Sequence, residues 1–401
     1  MRVRVFVFCL TLLLVGVVPA ADSLKIRTIG HCDTPGSANG VAVSGDSAYV
    51  AADTTGLRVI SIVDPAHPVE VGHYDTPGQA WGVAVGGRFA YVADGDSGLR
   101  VIRVPSQTEV GHCAMPGFAF CVAVSGNYAY VATGDSGVRV ISVADSAHPV
   151  EVGVYRTPGQ TWGVAANGNH AYVAAGDSGF RVASVTDPAH PAEVGRCATR
   201  GYAQGVAING KCAYVADGDS GLLVISIADS AHPAQVGRYR TLDFAYSVVV
   251  GSDSAYVADG QSGLRVMSVA DSTQPVEVGY YDTPGFAYGV ALSRSYVLVA
   301  DFDAGLQVYQ SYVSGIQGTP SAASRIANPL PTVVRGALNL EVDGRQHSAY
   351  RAELLDISGR KVMDLKPGQN SVRALAPGVY FVREAQAQAQ AQAIRKVVVT
   401  R

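Results

Sequence analysis

From Gly40 onward the chain alternates short apolar runs with breaks rich in Gly, Asp, Ser and Pro, and no window carries a helical period. The clearest stretch is Ala90-Tyr91-Val92-Ala93-Asp94-Gly95-Asp96-Ser97-Gly98-Leu99-Arg100-Val101-Ile102, which reads as a strand, a tight turn and a second strand. The same pattern returns, aligned on Val50, Val92, Val131, Val173, Val215, Val257 and Val299, at intervals of 42 residues with one of 39. The short interval arises where Pro105-Ser106-Gln107 replaces a turn such as Asp64-Pro65-Ala66-His67-Pro68, so a loop has lost residues and the strand register survives. Each unit splits into four strand-sized runs, in the second unit residues 81–85, 89–93, 99–104 and 109–114. Four short strands at this period predict the blade of a β-propeller.

The two ends of the array predict closure. Residues 24–36 match the fourth strand and its exit (compare 69–78), whereas 287–292, 296–300 and 306–310 supply three strands without a fourth. Residues 24–34 are therefore expected to pair with 306–310, completing a seventh blade and removing an exposed sheet edge. The fold class is all-β: a seven-bladed β-propeller over residues 22–313, followed by a small C-terminal β-sandwich. A small-residue linker, 314–325, separates it from the second module at 326–401, with strands expected at 337–342, 350–356, 362–365, 379–383 and 394–399.

Charge adds little pull toward any partner. Charged residues make up 16% of the 401 residues, against about 25% in an ordinary globular chain, which fits strands buried on both faces. The net charge of −3 gives no attraction to nucleic acid. Residues 1–21 carry Arg2 and Arg4, an apolar run and Val18-Pro19-Ala20-Ala21, the pattern of a signal peptide. No other run is long enough to span a membrane, so the expectation is an exported monomer with no membrane span after signal removal. Outside the signal lie Cys32, Cys113, Cys121, Cys197 and Cys212. Cys32, Cys113 and Cys197 replace the repeat tyrosine of Tyr74, Tyr155, Tyr239 and Tyr281, too far apart for disulfides; buried tyrosine substitutes and a redox or metal role both stay open.

The strand pairs Tyr-Val-Ala-Asp…Gly-Leu-Arg-Val-Ile-Ser and the following Asp-Pro-Ala-His-Pro resemble the bacterial LVIVD-repeat family. That resemblance implies an extracellular propeller with no common activity. The C-terminal module closely resembles the sorting domain of type IX secretion substrates. The residues that carry this likeness are Asn328-Pro329, Leu355-Asp356-Ile357-Ser358-Gly359-Arg360, Gly368, Gly378-Val379-Tyr380-Phe381-Val382-Arg383 and Lys396-Val397-Val398-Val399. It implies the type IX secretion machinery as a partner and passage through the periplasm to the cell surface or the medium. An alternating Ala/Gln tract at 385–393 departs from the family pattern and reads as a long hairpin or loop.

In a propeller the turn between strands two and three shares a face with the loop leading into the next blade. On that face fall the acidic turns with Asp96, Asp135, Asp177, Asp219 and Asp303. It also receives the rings that precede the inner strands, Trp81, Phe120, Trp162, Tyr246 and Tyr288, and those two residues earlier, Phe118, Tyr202, Phe244 and Phe286. Loops that vary on a constant scaffold are where binding usually sits. Rings with carboxylates suit a glycan or protein ligand; alternatively the rings fill the wedge between blades and the aspartates close turns.

The Asp turns are too short for a calcium loop and lack its distal Glu. The Ala-His-Pro turns of His67, His148, His190 and His232 are one per blade, so neither metal nor cofactor is expected. Arg58, Arg100, Arg139, Arg181 and Arg265 recur on the third strand, which points to ion pairs or hydrogen bonds between blades. No nucleophile, metalloprotease or phosphate-loop motif is present, so no catalytic residue is assigned. The expected function is a non-catalytic, secreted or cell-surface binding module. The alternatives are a hydrolase with its site at the channel mouth or a structural envelope spacer.

Overall fold

The computed structural model describes residues 24–25, 28–104, 106–293, 296–310, 332–334, 337–340, 351–355, 361–365, 368–371, 378–385 and 393–399. The signal segment, the 314–325 linker and residues 386–392 of the Ala/Gln tract lie outside them. The chain divides into two units between Tyr312 and Val313. Among the described residues there is no helix.

The first unit contains seven sheets built of four antiparallel strands each, and in six of them each of the four pairs with the next in sequence. Blade two is typical: Gly82–Gly86, Phe89–Ala93, Leu99–Arg103 and Thr108–Cys113, running from the channel outward. The ladder between the last two strands slips by one residue: Val101 faces Gly111 and Ile102 faces Glu109, which leaves Val110 unpaired. Blades one and three repeat this bulge at Val71 and Val152. A bulge strengthens the local twist.

The middle strands explain the near-continuous apolar runs. Side chains alternate across a strand, and here both faces meet another blade. Ala90, Val92 and Ile102 pack with Tyr49, Ala51, Leu57 and Val59 of blade one. Tyr91, Ala93, Leu99 and Val101 pack the other way, with Ala129, Val131 and Ile141 of blade three. Neighbouring blades are also clasped by backbone on one face. Each turn after the second strand pairs with the lead-in of the next blade, from Asp53 with Ala80 round to Phe302 with Ala38. That last bridge joins blade seven to blade one.

Closure follows the expectation in part. Thr28–Cys32 pairs antiparallel with Leu306–Gln310 as the outer strand of blade seven. Leu24–Lys25 does not join it; those residues run parallel to Gly279 and Tyr280, at the free edge of blade six. Stepping onto that edge satisfies backbone groups there that solvent alone would otherwise meet.

The recurrent arginines also differ from expectation. Their ion pairs stay within the blade: Arg139 to Glu151 at 3.1 Å, Arg181 to Glu193 at 3.3 Å, Arg100 to Glu109 at 3.4 Å, Arg58 to Glu70 at 3.5 Å and Arg265 to Glu277 at 3.9 Å. Third and fourth strands place these side chains as same-face neighbours, closer than anything in the next blade. The link between blades comes from the repeat tyrosine. The hydroxyls of Tyr74 and Tyr155 donate to Glu109 and Glu193 of the following blade at 3.0 and 2.6 Å.

In the second unit, strands form at the five expected places, as Ala337–Leu340, Arg351–Leu355, Lys361–Leu365, Gly378–Ala385 and Ala393–Val399, with Thr332–Val334 and Gly368–Ser371 in addition. They build a five-stranded and a two-stranded sheet.

Candidate functional site

The face with the inter-blade bridges carries the predicted rings and exposed acids. The second residue of each turn there adopts the left-handed region, and it is glycine in blades two to six, with φ of 55° at Gly95 and 52° at Gly218. The reason is partly a neighbour: a Cβ on Gly95 would lie 2.9 Å from the Phe118 ring, and one on Gly218 2.7 Å from Phe244. Asp53 and Phe302 take the same conformation without being glycine, at 47° and 49°. They precede Gln79 and Ser37, where the following lead-in has no ring. Gly134 keeps its glycine although Gln160 follows it, and there the near ring is Phe120 of its own blade, 3.2 Å from a Cβ.

The inner strands converge on a throat of about 160 Å³. Their close approach requires glycine at Gly163, where a Cβ would meet the Gln204 carbonyl oxygen at 2.4 Å. Above the throat the rings touch in an arc. Tyr246 and Tyr288 stack with centroids 4.8 Å apart, Tyr288 meets Trp81 edge-on at 5.6 Å, Trp81 meets Phe120 at 5.7 Å, and Phe120 lies 4.4 Å from Trp162. The Trp162 indole N–H donates to the Tyr202 hydroxyl at 2.9 Å, which donates to Gln160 at 2.9 Å. Two blades lack a ring: the Tyr288–Trp81 contact spans the one at Asn39, and the arc opens at Gln204, between Trp162 and Tyr246.

Beside the arc lies an open basin of about 820 Å³. Of the predicted residues it brings together Trp81, Trp162, Tyr202, Phe244, Tyr246, Tyr288, Asp177 and Asp219. Phe118, Phe120 and Phe286 are not part of its lining. Phe118 braces Trp81 and Phe120, and Phe286 packs on Tyr246 at 5.2 Å. Asp96 and Asp135 are exposed and outside the basin. Asp303, also outside it, accepts a hydrogen bond from the Ser37 hydroxyl at 2.9 Å.

Three lining residues escaped prediction, Arg200, Gly201 and Gln204. A signal for Arg200 was present, because it stands where other repeats have the proline of Thr34-Pro35-Gly36 or Thr76-Pro77-Gly78. The next repeat departs at the same place, with Leu242 76% exposed. Both departures flank the basin side of the ring. Across the whole face, ten solvent-reaching aspartates (33, 53, 75, 96, 135, 177, 219, 243, 282 and 303) stand against Arg156, Arg200 and Arg240 and against Arg58 and Arg265, which pair with Asp75 and Asp282, so its potential is negative.

A second set of acids on this face is structural. Asp94, Asp217, Asp259 and Asp301 have no exposed surface. Asp301 accepts from the Thr283 hydroxyl at 2.6 Å and the Gly285 N–H at 2.8 Å, closing the lead-in loop of its own blade. Burial pushes all four carboxyls above the usual range, Asp301 up to about 6. Asp94 and Asp259 have Arg100 and Arg265 at 3.5 and 3.9 Å, whereas Gln307 stands at that position in blade seven. Burial likewise raises the Tyr246 and Tyr288 hydroxyls, which stay protonated donors.

On the opposite face each turn histidine bonds its own aspartate, as His148 to Asp145 at 2.8 Å, which holds that carboxyl below its ordinary value. Among the described residues no cluster of His, Cys, Asp and Glu could hold a metal ion. Cys32, Cys113, Cys121, Cys197 and Cys212 are unpaired thiols. Burial raises the first four, which lowers their reactivity.

The LVIVD repeat pattern matches residues 35–76, 77–107, 116–157, 158–199, 200–241, 244–283 and 284–308, well over half of the chain. The chain belongs to the LVIVD repeat family. Each matched stretch of this LVIVD protein ends near the close of a blade's outer strand or within the blade. A search of curated proteins finds no match. Among solved structures, a chain of the Mitotic Checkpoint Complex is similar with TM-score 0.61 and 16% identity, covering 78% of this chain and all of that one. The WD40 beta propeller domain of Doa1 gives 0.58 at 12% identity, covering 73% and 97%. RRP9 WD40 repeats give 0.57 at 14%, covering 73% and 98%. At these identities the likeness is one of fold.

Proposed function

We propose that this LVIVD propeller is a non-catalytic interaction module, exported to the cell surface or the medium, that holds a glycan or protein ligand on its aromatic and acidic face. The observation that carries the reading is the basin, where six half-buried rings meet Asp177, Asp219 and Arg200 on a rigid ring of strands. Rings of this kind offer large contact area at low entropic cost. A non-catalytic role is favoured because the acids of this face repeat from blade to blade, whereas an acid/base pair is needed once. The C-terminal unit is a β-sandwich that directs type IX secretion. Support comes from its residues Asn328-Pro329, Gly378-Val379-Tyr380-Phe381 and Lys396-Val397-Val398-Val399 and from the pairing of Gly378–Ala385 with Ala393–Val399.

The test is a glycan array and pull-down with the full chain and a Trp81→Ala, Trp162→Ala, Tyr288→Ala variant. The wild type should capture a ligand that the folded variant loses. Equal capture by both would remove the aromatic face from the account.

A further inference from the structure

Basin and throat share Trp81, Trp162, Gln204, Tyr246 and Tyr288 in their linings, and two throat-lining residues each bury a polar atom that has no protein partner. Asn39, 3% exposed, gives its amide N–H to the Ala80 carbonyl at 3.2 Å, but its Oδ1 is buried with no partner. The Trp81 indole N–H is also buried without an acceptor. Both residues line the throat, and Trp81 lines the basin as well. A buried polar atom left without a hydrogen bond is destabilising, so each site favours an incoming partner. One needs a donor and the other an acceptor. An ammonium serves only Asn39 and a carboxylate only Trp81. A hydroxyl does both.

Resting on the binding-face reading, we infer that the ligand is a neutral saccharide chain end. Its apolar ring face stacks on the arc, its hydroxyls enter the throat toward Asn39 Oδ1 and Trp81 Nε1, and its outer hydroxyls meet Asp177, Asp219 and Arg200. Ionised aspartates accept from sugar hydroxyls, the arginine donates, and the rings take the C–H face. The negative potential of the whole face disfavours uronic or sulfated sugars.

The experiment is calorimetric titration of the full chain with glucose, galactose, mannose and N-acetylglucosamine, their linear oligomers, and a uronic acid oligomer as the charged control. At least one neutral sugar should bind saturably, with affinity unchanged between low and high salt, and the uronic acid oligomer should not. Trp81→Phe keeps a ring and removes the N–H. It and Asn39→Leu should each weaken binding roughly tenfold. Asp219→Asn, at an exposed position, should weaken it several-fold without touching the core, so a folding defect in the buried variants does not decide the matter. Neutral-sugar binding that Trp81→Phe and Asp219→Asn leave unchanged would overturn the assignment. So would salt-sensitive binding of a basic peptide at this face with no sugar bound, although the binding-face reading would then stand. No ligand on this face at all would overturn both.

Discussion

Asp301, like Asp217 with Leu223 at the arginine position, is a buried lead-in aspartate with no cation beside it, and its consequences can be worked through. Its carboxyl is pushed from the ordinary 3.8 up to about 6 by burial. A raised folded-state value means that the native protein holds the proton more tightly than the unfolded chain. The resulting stability is complete below pH 3.8 and is lost as pH rises through about 6. The difference between low pH and pH 7 is at most roughly 3 kcal/mol, and about 2 once screening by nearby solvent is allowed for. In Asp301→Asn the Thr283 hydroxyl keeps a partner. The new amide faces the Gly285 N–H, a constant penalty of about 1–3 kcal/mol that does not vary with pH. Denaturant unfolding of both proteins from pH 4 to 7 should show wild type losing about 2 kcal/mol relative to the variant as pH rises. Gln307→Arg, which restores the pair seen at Asp94 and Arg100, should flatten the wild-type profile. Parallel profiles for wild type and Asp301→Asn, or a wild type that gains on the variant with rising pH, would refute the reasoning.

Other consequences are simpler to read. Tyr155→Phe removes the 2.6 Å bond to Glu193 of the next blade and should lower stability by about 1–2 kcal/mol in urea unfolding. Gly163→Ala drives a methyl against the Gln204 carbonyl and should cost at least about 2 kcal/mol by the same assay. Removing residues 22–32 strips the outer strand of blade seven and leaves Leu306–Gln310 as an open edge, so size-exclusion chromatography should show self-association absent from the intact chain.

Much of the ring was legible because its determinants are local and repeated. Val50 and its counterparts mark the second strands, Gly and Asp mark the turns, and the missing fourth strand after Leu306–Gln310 pointed to Thr28–Cys32. What escaped depends on distances between chain segments. The arginines recur in every direction a pattern can show, yet only packing reveals that Glu151 lies nearer Arg139 than any acid of the next blade does. Leu24–Lys25 carries the same apolar-polar pattern as a blade strand, and only the ring places it against blade six. The rings were found as a set, but their division was not visible. Phe118 and Phe286 differ from Tyr202 and Phe244 by what stands behind them, not by position in the repeat. Arg200 was readable as a broken proline and was passed over because it is not aromatic or acidic.

The two tryptophans of the chain, Trp81 and Trp162, both line the basin. Emission from the full chain therefore reports on this face alone, and titration with a ligand recovered from the array tests the central claim directly. The account predicts a saturable shift or quench at the concentration where binding saturates. Unchanged emission with ligand fully bound would place the binding surface elsewhere.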